Sequence, residues 1–80
     1  MLYGSHMNTK TTPERIEALR LKEERSIKWT AEKSGMAVPT FRRKINNSGE
    51  FTLSEIARIA NALGVEPSAL LPEEFFSKAA

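Results

Sequence analysis

The stretch Phe51-Thr52-Leu53-Ser54-Glu55-Ile56-Ala57-Arg58-Ile59-Ala60-Asn61-Ala62-Leu63-Gly64 decides the fold class. Thr52 and Glu55 stand at capping-box spacing, so each side chain can accept from the backbone N–H at the other's position. Phe51 and Ile56 bracket that box as a hydrophobic staple. Ile56, Ile59, Ala60 and Leu63 then recur at helical spacing, and Gly64 supplies the left-handed residue that stops a helix.

Reading outward from this helix, the same punctuation repeats. Downstream, Glu66-Pro67 opens a last short helix holding Leu70 and Leu71, and Pro72 terminates it. Upstream, Asn46-Asn47-Ser48-Gly49 is a turn cluster that ends a helix running from Pro39 to about Asn47. Val38 precedes a proline and is expected outside that helix, with Pro39 its natural first residue. Ser26 caps a helix over Ile27–Ser34 that closes at Gly35. Thr12-Pro13-Glu14 starts the first helix, with Thr12 as the N-cap, Pro13 at the first position and Glu14 near the positive dipole end. Ile16, Leu19 and Leu21 give it a buried side, and it ends near Arg25. There is no alternating strand pattern. The expectation is an all-α fold, a compact bundle of about five short helices.

Composition bounds the function. Eighty residues make one domain. Met1–His6 reads as an expression-tag remnant, residues 7–72 as the folded domain and residues 73–80 as a C-terminal tail. A unit of this size buries only about 60% of its chain surface, which leaves little room for an elaborate cavity. With the tag set aside there is no histidine, and there is no cysteine anywhere. Clustered carboxylates and a phosphate-cradling glycine loop are also missing, so the sequence predicts neither an enzyme nor a metal or cofactor site. No small-molecule ligand is indicated. No apolar run reaches the roughly 20 residues of a membrane span, and a cytoplasmic location is expected.

The net charge of +2 says little, but its distribution says more. Arg25, Lys28, Lys33, Arg42, Arg43 and Lys44 face Glu32 alone between residues 25 and 47. Beyond residue 47, Arg58 and Lys78 stand against Glu50, Glu55, Glu66, Glu73 and Glu74. A basic middle and an acidic rear suggest one polyanion-facing side. In the helix over 39–47, Phe41 and Ile45 share the inward face, while Val38, Pro39, Arg42, Arg43 and Asn46 fall opposite. Thr40 lies at the front end. Arginine pairs bidentately with guanine, and the apolar Val38 and Pro39 suit thymine methyl groups. Trp29 is read as core rather than as a platform for bases.

The run Ser26–Leu71 resembles the Cro and phage-repressor type of helix-turn-helix, the lambda-repressor-like fold. The resemblance rests on Ala31-Glu32-Lys33-Ser34-Gly35-Met36, on Thr40-Phe41-Arg42-Arg43-Lys44-Ile45 and on the 51–65 stretch, in this order and spacing. It implies a regulator of transcription that binds double-stranded DNA in the major groove, such as a small repressor. Residue by residue, it implies a close helix approach at Ala31 and a turn at Gly35. Val38, Pro39, Thr40 and Arg43 would meet base edges, with Arg42 and Asn46 on the same outward side. Ser26, Ile27 and Lys28 would meet phosphate, and Lys44, Asn47 and Ser48 would grip the neighbouring backbone.

The chain departs from the pattern at four places. Ile27 stands where relatives often carry Gln, and Thr30 where they carry leucine. Ala37 replaces a Ser or Thr cap. Ile45 replaces a glutamate that pairs with an arginine at the position of Arg20, so Arg20 needs another partner or faces water.

One short helix reads few base pairs, so a homodimer on repeated half-sites is expected. Phe75-Phe76 either closes the core or makes the dimer contact. A protein-interaction module on the same fold, such as an antitoxin, is the competing expectation.

Overall fold

The structure, a computed structural model, describes residues 11–46 and 51–72. Within them the chain forms four α-helices: α1 (Thr12–Lys22), α2 (Ile27–Lys33), α3 (Val38–Asn46) and α4 (Leu53–Leu63). A single 3₁₀ turn, η1, spans Pro67–Leu70. The described residues contain no strand, so the all-α expectation holds. The expected fifth helix is this 3₁₀ turn, which ends before Leu71. Four residues between Glu66-Pro67 and Pro72 leave room for one tight turn and no more. No helix among the described residues is long and apolar enough to cross a membrane.

The capping box at the head of α4 forms as its sequence dictates: Glu55 N–H donates to Thr52 Oγ1 at 3.1 Å and Thr52 N–H donates to Glu55 Oε1 at 2.9 Å. A second box heads α1, and here the cap is Thr11 rather than Thr12. Thr11 N–H donates to Glu14 Oε1 at 2.9 Å, and Glu14 N–H donates to Thr11 Oγ1 at 3.4 Å. The spacing to Glu14 decides the matter, since a capping box needs the acid three residues after the cap. Thr12 is thereby freed to turn inward, where it is buried.

Three helices end in the same way. At α2, Met36 N–H reaches Ala31 O and Gly35 N–H reaches Glu32 O, with Gly35 at φ 71°. At α4, Val65 N–H reaches Ala60 O and Gly64 N–H reaches Asn61 O, with Gly64 at φ 78°. At α1, Arg25 N–H reaches Arg20 O and Glu24 N–H reaches Leu21 O, and the left-handed residue is Glu24 at φ 57°. All three are Schellman closures, in which a left-handed residue lets two N–H groups turn back on the final helical carbonyls. The first helix therefore stops at Lys22, short of Arg25, and Leu21 is exposed rather than buried.

Ile16, Ala31, Met36, Phe41, Ile56, Ile59, Ala60, Leu63 and Leu70 form the buried core. Leu19, Ile27, Trp29, Val38, Ile45, Phe51, Val65 and Leu71 pack around it half-buried. Phe41 and Phe51 meet edge to face, with ring centroids 5.9 Å apart. Such a pair adds about 0.5–1.5 kcal/mol to the area it buries. Trp29 sits at the rim of the core with the Arg25 guanidinium 4.2 Å from its ring centroid.

Two buried hydroxyls saturate themselves within α2. Thr30 Oγ1 donates to Ser26 O at 2.9 Å and Ser34 Oγ to Thr30 O at 2.7 Å. Thr30, set where the resembled family carries leucine, is thus buried without an orphan polar atom.

Candidate nucleic-acid interface

α2, the turn at Gly35 and α3 form the basic part of the molecule. α3 begins at Val38, one residue earlier than expected. The helical bond from Phe41 N–H to Ala37 O (3.0 Å) starts its ladder. Phe41 is fully buried and Ile45 half-buried, so the predicted inner face is present. A helix anchored by Phe41 must present residues about half a turn away to solvent. Pro39, Arg42, Arg43 and Asn46 are all exposed. Val38 departs from the expected outward set: it is half-buried against the core, which is what holds the uncapped first turn. Thr40 is also half-buried.

The six basic residues between 25 and 46 divide by what holds them. Arg25 lies over Trp29, and Lys33 approaches the same ring at 5.9 Å. Lys28 pairs with Glu32 at 3.3 Å across one turn of α2, but the two side chains remain 75% and 57% exposed. A pair so open to water contributes about 0.5 kcal/mol at most and yields readily to a competing anion.

Lys44 is different. Its Nζ donates to both Glu55 oxygens at 2.8 Å, and the two side chains are only 12% and 15% exposed. Lys44, expected on the phosphate backbone, instead ties the last turn of α3 to the N-terminus of α4. Burial works against ionisation of Glu55. The bonds from Lys44 Nζ and Thr52 N–H outweigh it and hold the carboxyl below its ordinary range.

Arg42 and Arg43 have no hydrogen-bond or ion-pair partner among the described residues. Among the described residues they are the cations of this segment that no side chain or ring holds.

The remaining expected contacts are placed as follows. Ser26 is exposed, but its Oγ already accepts from Trp29 N–H at 2.9 Å as the α2 cap. Ile27 is half-buried against the core, so only its backbone could meet an anion. Asn47 and Ser48 lie outside the described residues, as do Phe75 and Phe76.

Arg58 adds a residue that sequence reading left among the acidic rear. It projects from α4 to the turn before α3, where Nη1 lies 3.5 Å from the point a Cβ on Gly35 would occupy. Only the packing of α4 against α2 brings it there, and no local pattern signals that.

Arg20 completes the frame behind this surface. Its Nε and Nη2 donate to the two Glu17 oxygens at 2.8 and 2.7 Å, and Nη1 donates to Arg25 O at 2.8 Å. The glutamate absent at position 45 is thus replaced by one a turn earlier in the same helix. Hydrogen bonding to Glu17 raises the Arg20 pKa, partly offset by burial.

Compared with known protein families, characterised proteins and solved structures, the chain matches none.

Proposed function

We propose that this chain is a sequence-specific double-stranded DNA-binding regulator of the helix-turn-helix, lambda-repressor-like kind, with α3 as its major-groove reader. One observation carries the reading. Among the described residues Arg42 and Arg43 are the cations of this basic segment without a partner, and they project from a helix whose opposite side is pinned by the buried Phe41. Guanidinium groups carried on one face of a packed helix suit bidentate recognition of guanine.

Pro39, Thr40, Arg42, Arg43 and Asn46 make the base-facing set in this reading. Lys28 and the backbone at Ser26 and Ile27 make the phosphate-facing set. Lys44 positions α3 through Glu55 rather than touching DNA.

Selection of bound sites from random duplex DNA, followed by titration of the selected site, tests the proposal. Arg43→Ala should flatten the difference between the selected site and scrambled DNA, costing about 1–3 kcal/mol on the former alone. Lys28→Ala should weaken both equally and lower the salt slope by about 0.9 per phosphate lost. Failure to enrich any sequence, together with salt-independent retention, would sink the proposal.

A further inference from the structure

A stripe along one side of α2 gathers two cations around the indole of Trp29. Helical side chains tilt towards the N-terminus, so Trp29 leans back to Arg25, the residue before the Ser26 cap. The Arg25 guanidinium lies over the ring, 4.2 Å from its centroid. Lys33, one turn further on, brings its Nζ to 5.9 Å from the same centroid. Both basic residues are exposed, and among the described residues neither forms an ion pair. The neighbouring stripe differs, since Lys28 there is balanced by Glu32. The main chain of Arg25 is held on both sides. Its N–H donates to Arg20 O at 3.0 Å, and its carbonyl accepts from Arg20 Nη1 at 2.8 Å.

We infer that Arg25, seated on Trp29, is a further phosphate contact of the DNA interface, and that Trp29 is its positioning residue. This rests on the DNA-binding reading above, in which Lys28 and the backbone at Ser26 and Ile27 meet phosphate. Arg25 adjoins Ser26 and so stands at the same end of α2. An aromatic ring attracts a guanidinium towards its face and leaves the in-plane N–H donors open to an acceptor, here a phosphodiester oxygen. A side chain already laid on a ring, from a backbone held on both sides, loses less freedom when the anion arrives.

A phosphate suits this corner better than a nucleobase. The ring is half-buried and carries Arg25 over it, so a stacking base would have to displace the cation. A phosphate joins the guanidinium at its edge and displaces nothing. A contact of this kind sets register and orientation on the duplex and carries no sequence information. It differs in that respect from the one proposed for Arg43.

Titrations of the full 80-residue chain with its selected site and with a scrambled duplex provide the test. Arg25→Ala should weaken both about tenfold, the loss of one charge-assisted pair. It should also reduce the salt slope by about 0.9. Arg25→Lys should keep the slope and lose part of the affinity, because an ammonium lacks the planar fork. Trp29→Leu should lower affinity in the parent background and not in the Arg25→Ala background, a coupling that a merely structural role for the indole would not produce. Trp29→Phe keeps an aromatic face, should fall between the two, and serves the same cycle where circular dichroism shows the leucine variant unfolded. An Arg25→Ala chain that binds both duplexes as the parent does, with the same slope, would overturn the inference and leave the DNA-binding reading standing. So would a loss confined to the selected site, which would make Arg25 a base contact. A Trp29 effect of equal size in both backgrounds would overturn it as well, by giving the indole a role of its own. A parent chain with no salt-dependent binding to either duplex would remove both readings together.

Discussion

The turn between α1 and α2 and the turn between α2 and α3 close with the same pair of backbone hydrogen bonds but use opposite chemistry. In the second, Gly35 takes φ 71° with no Cβ to resist it. In the first, Glu24 takes φ 57°, a conformation that costs an L-residue about 1–2 kcal/mol. What offsets that cost is a side chain. Arg20, fixed by two bonds to Glu17, donates a third across the turn to Arg25 O. One turn is permitted by its residue and the other is imposed by its neighbours. A backbone motif can therefore be maintained where its signature residue is absent, provided a partly buried ionic clamp takes over.

The largest effect should come from breaking the clamp. Arg20→Ala removes three charge-assisted bonds, and allowing for the partial exposure of Glu17 it should cost about 2 kcal/mol in urea unfolding. A loss no larger than that of a typical surface substitution would show that the first turn needs no clamp. Gly35→Ala comes next. The added Cβ meets nothing closer than Arg58 Nη1 at 3.5 Å, so the loss of about 1–2 kcal/mol should be purely conformational. An unchanged midpoint would erase the distinction between the two turns. Glu24→Gly should act in the opposite direction and stabilise by about 0.5 kcal/mol, because relief of the left-handed strain exceeds the added freedom of the unfolded chain.

The smallest effect is a pH dependence that separates both turns from the α3–α4 junction. The Glu55 pKa is lowered in the folded state, so its contribution is complete above the ordinary glutamate value, about 4.3, and is lost as pH falls through the lowered one. Glu55→Gln retains a capping side chain but not the charge opposite Lys44. The advantage of the parent chain over this variant should shrink in acid, as read from paired unfolding curves. A constant gap would mean the Lys44–Glu55 pair contributes nothing through its charge.

What could be read from the sequence follows the range of the interactions involved. The Thr52–Glu55 box, the glycines at 35 and 64 and the inward Phe41 all depend on residues within one or two turns, and each was legible. The Thr11 cap was within reach as well, since Glu14 specifies it, but the neighbouring Thr12-Pro13 competes for the same reading. The Glu24 turn was not legible, because a glutamate carries no left-handed signal and its support comes from Arg20. Within the candidate interface, exposure of Pro39, Arg42, Arg43 and Asn46 followed from helical geometry alone. The withdrawal of Lys44 to Glu55, the arrival of Arg58 beside Gly35 and the inward lean of Val38 did not. Each is decided by a helix packed from elsewhere in the chain, and local spacing carries no record of it.

Trp29 is the single tryptophan of the chain, and it lies half-buried beneath Arg25. The molecule thus contains its own optical gauge at the corner where α1 passes into α2. With one indole emitting, fluorescence reports whether the cation rests on the ring or has been drawn away. A polyanion that attracts Arg25 would register as a change in emission without any attached dye. Arg25→Ala would supply the reference spectrum for the ring without Arg25, with Lys33 still 5.9 Å from its centroid.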